Sequence, residues 1–241
     1  DGEFTLPGIA GTGSPVRMEF RDPGGAVTGH LLPTGNVIDE IEVPGVGAVE
    51  ASLVDAANPC VFVEADALGI TGTEGPAAID GMTKVMGYLE AIRSRATVMM
   101  GMENTPEEAT EKSPSIPFIG MVAPPQDANT LAGERIIAAD GDLTARVVSN
   151  GNTHRALPLT AALCCATVAR IEGTVVHRHA RPAKDAGDDI RFMQPSGILP
   201  VACTVRKMPD GWVVEQVGVI RTQRRLFEGR VLVPESRLKA S

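Results

Sequence analysis

His154 and Arg155 stand just upstream of an apolar run that opens at Pro158 and continues to Ile171, with Thr160 in its first turn. Proline suits a first helical position, because its missing N–H would be unpaired there in any case. The N–H groups of Leu159, Thr160 and Ala161 then have no intrahelical partner and sit at the positive end of the helix dipole. A carboxylate or a phosphate binds at such a place. Capping by water and side chains is the structural alternative, and His154 and Arg155 divide between holding an anion and capping local backbone. Ser196 lies in Pro195-Ser196-Gly197, outside the G-x-S-x-G context of a nucleophile elbow and with no assigned base. Its hydroxyl and the N–H groups of its turn read as donors to a carboxylate, or else as a plain turn.

Other constellations carry less. Gly8-Ile9-Ala10-Gly11-Thr12-Gly13 is followed by a strand pattern, whereas a dinucleotide loop needs a helix there. His177-Arg178-His179 offers two metal ligands without a third at a useful spacing, so no metal is expected. Cys60, Cys164, Cys165 and Cys203 show no C-x-x-C spacing, which fits a reduced, cytoplasmic protein. Cys164 and Cys165 fall inside the apolar run and read as packing residues.

Two helices and many strands must position these groups. Met82 to Met100 has helix formers with apolar Val85, Met86, Leu89 and Ile92 on one face. Pro158 to Ile171 is apolar all round and rich in small residues, so it must be enclosed, with Gly173 as its stop. Val16 to Phe20, Val46 to Ala51, Ser52 to Asp55, Cys60 to Glu64, Ile116 to Val122 and Leu143 to Val148 read as strands. Ile198 to Val205 and Trp212 to Ile220 flank Asp210-Gly211 as a hairpin, and Leu226 to Val233 reads as a further strand. The expected picture is a strongly bent antiparallel sheet wrapped around one central helix. Glu103 to Lys112 reads as a solvated helix or loop.

Composition sets the limits. The 241 residues carry 22 Lys+Arg against 30 Asp+Glu, a net charge of −8 that argues against nucleic-acid binding. With 26 Gly and 18 Pro the chain turns often. Apolar residues are 43% and aromatics only 3%, so the core is aliphatic. The charge-free stretch from Ala156 to Ala169 is too short to span a bilayer, and no membrane role is expected.

Several segments together identify a family. Leu32-Pro33-Thr34-Gly35-Asn36-Val37-Ile38-Asp39 resembles the P-T-G-N-x-x-D segment of the PrpF-type proteins, the 2-methylaconitate cis–trans isomerase family. Asp55 to Val63, Leu68 to Glu74, Met121 to Pro125, Thr153 to Ala156, Ile171 to Val176, Pro195 to Gly197 and Arg221 to Gly229 match in the same order. The resemblance implies an α+β, diaminopimelate-epimerase-like fold, with an antiparallel, barrel-like sheet around a central helix. It implies a cofactor-independent isomerase of unsaturated di- or tricarboxylates such as 2-methylaconitate or cis- and trans-aconitate. Asn58, in the Asn58-Pro59 turn, is implied to face substrate or to form the turn. The substrate-binding set is therefore Asn58, His154, Arg155, Thr160 and Ser196.

The family's presumed catalytic lysine and its N-C-G motif are not in this sequence. Residues 1–21 then read as the end of an N-terminal domain and residues 22–241 as the C-terminal domain, with the base in a missing N-terminal domain and the catalytic residues unknown. Expected partners are the small carboxylate, that missing domain and, as an option, a second copy in a homodimer. A non-catalytic carboxylate-binding or accessory protein is the alternative. An amino-acid epimerase of the same fold needs paired thiols, and Pro158 at the helix start argues against it. Gln194 stands where relatives often have His before Pro-Ser-Gly, and Met99-Met100-Gly101 where they often have Arg-Met-Gly or Lys-Met-Gly. Both departures bear on substrate choice.

Overall fold

Cys60 and Phe62 point to one side of the strand Pro59–Glu64, Val61 and Val63 to the other, and all four are buried. Both faces of the sheet are therefore covered here. The computed structural model describes residues 2–183 and 188–235. Asp1 and residues 236–241, which the two expected domains include, lie outside the described residues.

The first strands are β1 (Phe4–Thr5), β2 (Thr12–Arg21), β3 (Asp39–Val43), β4 (Gly47–Asp55) and β5 (Pro59–Glu64). Three helices follow, α1 (Pro76–Asp80), α2 (Thr83–Met99) and α3 (Pro106–Lys112). Then come β6 (Phe118–Ala123), the short pair β7 (Ala128–Asn129) and β8 (Arg135–Ile136), β9 (Leu143–Ser149) and β10 (Asn152–Thr153). The chain continues through α4 (Leu159–Ala169), α5 (Val175–His179), β11 (Ile190–Gln194), β12 (Gly197–Met208) and β13 (Gly211–Gln223).

The main sheet runs β1-β2-β13-β12-β11-β9-β6-β5-β4-β3, with β10 beside β9. The expectation of an antiparallel, barrel-like sheet is corrected in two respects. Strands β5 and β6 are parallel, and so are β9 and β11. The sheet is also open, since among the described residues its end strands β1 and β3 do not pair with each other. Parallel neighbours need a long crossover, which a helix usually supplies. The β5–β6 crossover carries α2 and the β9–β11 crossover carries α4.

The two crossover helices cover opposite faces. Val85, Leu89, Ile92 and Ala96 of α2 share a core with Val61, Val63, Ile119 and Met121. Ala161 to Ala169 of α4 share the other core with Cys60, Phe62, Leu143, Ala145 and Phe192. The far strands curl over as well, because α4 packs against both β4–β5 and β12–β13. Small side chains on every side of α4 allow that approach. A larger residue at Ala166, which is fully buried, would overpack this core at a cost of about 1–3 kcal/mol. Gly120 makes a similar allowance, since a Cβ there would lie 2.5 Å from the Phe62 ring.

Most strand expectations and both helices agree with the structure to within a few residues. Pro158 is the N-cap of α4 rather than its first turn, and the helix stops with Arg170 as C-cap, before Gly173. Leu226 to Val233, expected as a strand, pairs with nothing in the sheet, and Leu226, Phe227, Val231 and Leu232 stand exposed. Strand β2 ends at Arg21 and pairs with β13 from Ser14 to Arg21. No helix among the described residues is long and apolar enough to cross a membrane.

Candidate functional site

The site is built from the backbone that leads into α4. Pro158 gives the helix no side-chain cap, and the first helical bond runs from the N–H of Ala162 to the carbonyl of Pro158 at 2.9 Å. The amides of Leu159, Thr160 and Ala161 thus precede the first intrahelical bond. The loop before them is pinned residue by residue. The N–H of Thr153 donates to Asp80 Oδ1 at 2.8 Å, and that of His154 to the carbonyl of Val147 at 2.9 Å. Ser196 Oγ donates to the carbonyl of Arg155 at 2.6 Å. The N–H of Leu157 donates to Gln194 Oε1 at 2.8 Å.

A cavity of about 1000 Å³ opens beside this loop. Arg155, Ala156, Ser196 and Gly197 form its floor, Thr5 to Ala10 form one wall, and the β7–β8 hairpin forms the other. The hairpin is held to the floor by the N–H of Leu131, which donates to the carbonyl of Pro195 at 2.8 Å. The opposite wall approaches just as closely. Gly8 has φ +82°, and a Cβ on it would lie 2.8 Å from Ser196 Cβ. Among the described residues lining this cavity, Arg155 is the one cation and Glu134 the one carboxylate. Preorganised donors beside a single cation can hold a carboxylate and offset charge that develops on it.

Arg155 and Ser196 are brought together at this cavity. The other expected residues gather at the same end of the sheet but outside its lining. Thr160 is half-buried in the first turn of α4. Asn58 turns its amide onto the carbonyl of its neighbour Pro59 at 3.0 Å. The next residue, Cys60, pairs with Phe118, whose ring meets that of His154 edge-on at 5.9 Å. His154 Nε2 lies 2.7 Å from Ser149 Oγ, and burial pushes its imidazole below the usual value, so it is neutral at pH 7.

The walls were not legible in the sequence. Thr5 to Ala10 is a short turn closed by the N–H of Ile9 on the carbonyl of Leu6 at 3.0 Å, and strands as short as β7 and β8 leave no periodic signal. Several family segments prove to be structural. Asp39 accepts from Thr34 Oγ1 at 2.7 Å and from Asn36 Nδ2 at 2.8 Å, which accounts for the spacing in P-T-G-N-x-x-D. Burial alone would raise the Glu74 carboxyl, but hydrogen bonds from Thr71 and Gly72 outweigh it and hold it low. Arg146, only 2% exposed, donates to the carbonyls of Thr73, Glu74 and Met193, and burial lowers its guanidinium to about 10. Asp55 is fully buried and anchors the loop before β3 by accepting from the N–H groups of Val27 and Thr28, each at 2.7 Å. His179 pairs with Glu64 at 3.0 Å and Arg178 with Glu50.

Known proteins resemble this chain in sequence and fold. The family profile described as "PrpF protein" matches residues 1–234. The chain is 40% identical to a 3-methylitaconate isomerase of Eubacterium barkeri over 238 residues, covering 98% of this chain and 61% of that protein. It is 34% identical to a 2-methyl-aconitate isomerase of Cupriavidus necator over 236 residues, covering 97% and 59%. A crystal structure of methylitaconate-delta-isomerase superposes with a TM-score of 0.90 at 39% identity, covering 100% of this chain and 61% of that one. The chain thus spans about three fifths of the length of these relatives.

Proposed function

The chain belongs to the PrpF family, and from that membership we propose that it forms the carboxylate-binding part of a cofactor-independent isomerase of unsaturated di- or tricarboxylates. The similarity to 3-methylitaconate and 2-methyl-aconitate isomerases supports this reaction class. The observation that carries the reading is the pinned loop from His154 to Leu157, which sets Arg155 on the floor of the cavity beside the uncapped start of α4.

The chemistry is a proton shift along an allylic unit. A base removes a proton from the carbon next to the double bond, and the electron pair spreads into the conjugated carboxylate. The proton returns at either end of the unit, so no electrons are gained or lost overall. The substrate already bears two or three negative charges, and the intermediate concentrates more on one carboxylate. Arg155, the backbone N–H groups of the Ser196 turn, Thr160 with the amides around it, His154 and Asn58 are the groups proposed to hold the carboxylates, since the Ser196 hydroxyl proton is given to the carbonyl of Arg155. Neutral His154 acts there as a hydrogen-bonding group rather than as a cation. The base is proposed to come from polypeptide outside these 241 residues, consistent with the greater length of the relatives.

Proton NMR in D₂O tests this reading with 3-methylitaconate, 2-methylaconitate and cis- and trans-aconitate. The assay compares the 241-residue chain with a polypeptide extended to the length of its relatives. Isomerisation or deuterium uptake is expected only from the extended form. Turnover by the shorter chain would overturn the placement of the base, and silence from both would overturn the isomerase reading. In the active form Arg155→Ala should raise KM about tenfold or more with a smaller effect on kcat, as expected where one charge-assisted contact is lost in ground and transition states alike.

A further inference from the structure

Gln194 is the last residue of β11 and only 3% exposed. Its carbonyl Oε1 accepts the N–H of Leu157 at 2.8 Å. Leu157 carries the last backbone N–H before Pro158, which has none. How the chain turns into α4 therefore depends on the acceptor that Leu157 finds. The residues beside Gln194 make ties of their own. The carbonyl of Met193 accepts from Arg146 Nη1, that of Pro195 accepts from the N–H of Leu131, and Ser196 Oγ donates to the carbonyl of Arg155. Four consecutive residues thus tie β9, the β7–β8 hairpin and the loop of Arg155 together.

We infer that Gln194 is a positioning residue, whose non-titrating amide fixes Arg155 and the start of α4 and keeps that geometry constant across pH. The inference rests on the proposed carboxylate site. An amide oxygen accepts a hydrogen bond at any pH between 5 and 8, whereas an imidazole accepts only when neutral and becomes a donor at both nitrogens once protonated. A histidine at this position would make the clamp titrate. The charged and titratable groups on the surrounding elements are Arg146 on β9, Arg191 on β11, Cys203, Arg206 and Lys207 on β12, Cys164 and Cys165 on α4, His154 and Arg155 before α4, and Glu134 in the hairpin. Of these, Arg146 is held by backbone carbonyls, Arg191 by Asp142 and His154 by Ser149.

The test follows two quantities from pH 5.5 to 8, the hydrogen-exchange protection of the Leu157 amide and the Kd for 3-methylitaconate, each relative to wild type at the same pH. Gln194→Met keeps the length and removes the acceptor. It should lower Leu157 protection about tenfold and weaken binding by a similar factor at every pH, the effect of leaving one buried donor unpaired. Gln194→Glu, which restores an acceptor, should recover the protection at pH 8. Gln194→His should resemble wild type at pH 8 and the Met variant at pH 5.5. Unchanged Leu157 protection in the Met variant, no recovery in the Glu variant, or a His variant without pH dependence would each overturn the inference. If wild type fails to bind 3-methylitaconate while Leu157 protection behaves as expected, the substrate reading falls and the clamp stands.

Discussion

Ser196 Oγ and the backbone carbonyl of Arg155 are joined by a 2.6 Å hydrogen bond that spans 41 residues of sequence. The bond makes the Pro-Ser-Gly turn a fastener for the loop that carries the cavity's one described cation. Ser196 acts through its hydroxyl proton on the protein itself.

Ser196→Ala removes this tie without removing Arg155. One neutral hydrogen bond is worth about 1 kcal/mol, so affinity for 3-methylitaconate should fall by roughly threefold to tenfold. Tm should fall by about 2–4 °C. Calorimetric titration and a thermal melt measure the two. An unchanged affinity would show that the loop keeps its place without the serine.

His154 sets a pH dependence whose sign follows from its burial. The folded imidazole is held below the ordinary value, near 6.5, that it regains on unfolding. Below pH 6.5 the unfolded chain therefore binds the proton more readily, and stability is lost as pH falls through the folded pKa. The ring proton resonance of His154 should titrate with a midpoint under 6.5, and His154→Gln should flatten the fall in Tm between pH 7 and 5. A midpoint at or above 6.5 would refute the assignment.

The four cysteines are expected to be inert in the folded protein. All are free and buried. Burial raises the Cys60 and Cys165 thiols, and that of Cys203 to about 12. Few thiolates then exist at neutral pH, and thiolate is the reactive form. A thiol-specific disulfide reagent should find none in native protein at pH 8 and all 4 after denaturation. Rapid labelling of any one in the native state would count against the enclosed α4.

Asp39 is expected to matter for folding rather than for binding. It is 7% exposed and receives both Thr34 and Asn36. Asp39→Ala should cost about 2 kcal/mol, the scale of hydrogen bonds to a charged group, as read from denaturant unfolding. Affinity of the folded fraction for 3-methylitaconate should stay within twofold. A selective loss of affinity would instead move the P-T-G-N-x-x-D segment into the binding site.

Local chemistry was enough to read α4 and α2. A charge-free apolar run rich in small residues cannot face water on any side, and α2 shows an apolar face at helical spacing. The alternating strands and the Asp210-Gly211 hairpin were equally local, and the family segments followed from residue identity alone. What lay between distant residues was decided by tertiary structure. Continuous apolar strands such as β5 and β6 do not reveal whether their neighbours run parallel, because burial on both faces erases the alternation. The stretch from Leu226 to Val233 looked like a strand, yet a strand forms only alongside a partner, and this segment pairs with neither edge strand of the described sheet, β1 nor β3. Thr5 to Ala10 and the β7–β8 hairpin became walls only when folding set them against Ser196 and Pro195. His154 read equally as an anion ligand or a backbone cap until folding set it against Ser149 and Phe118, and Gln194 was a mere departure from the family's histidine until the N–H of Leu157 reached it. Spacing along the chain reports which residue types are present, but the partner of each polar atom is fixed by contacts across tens of residues.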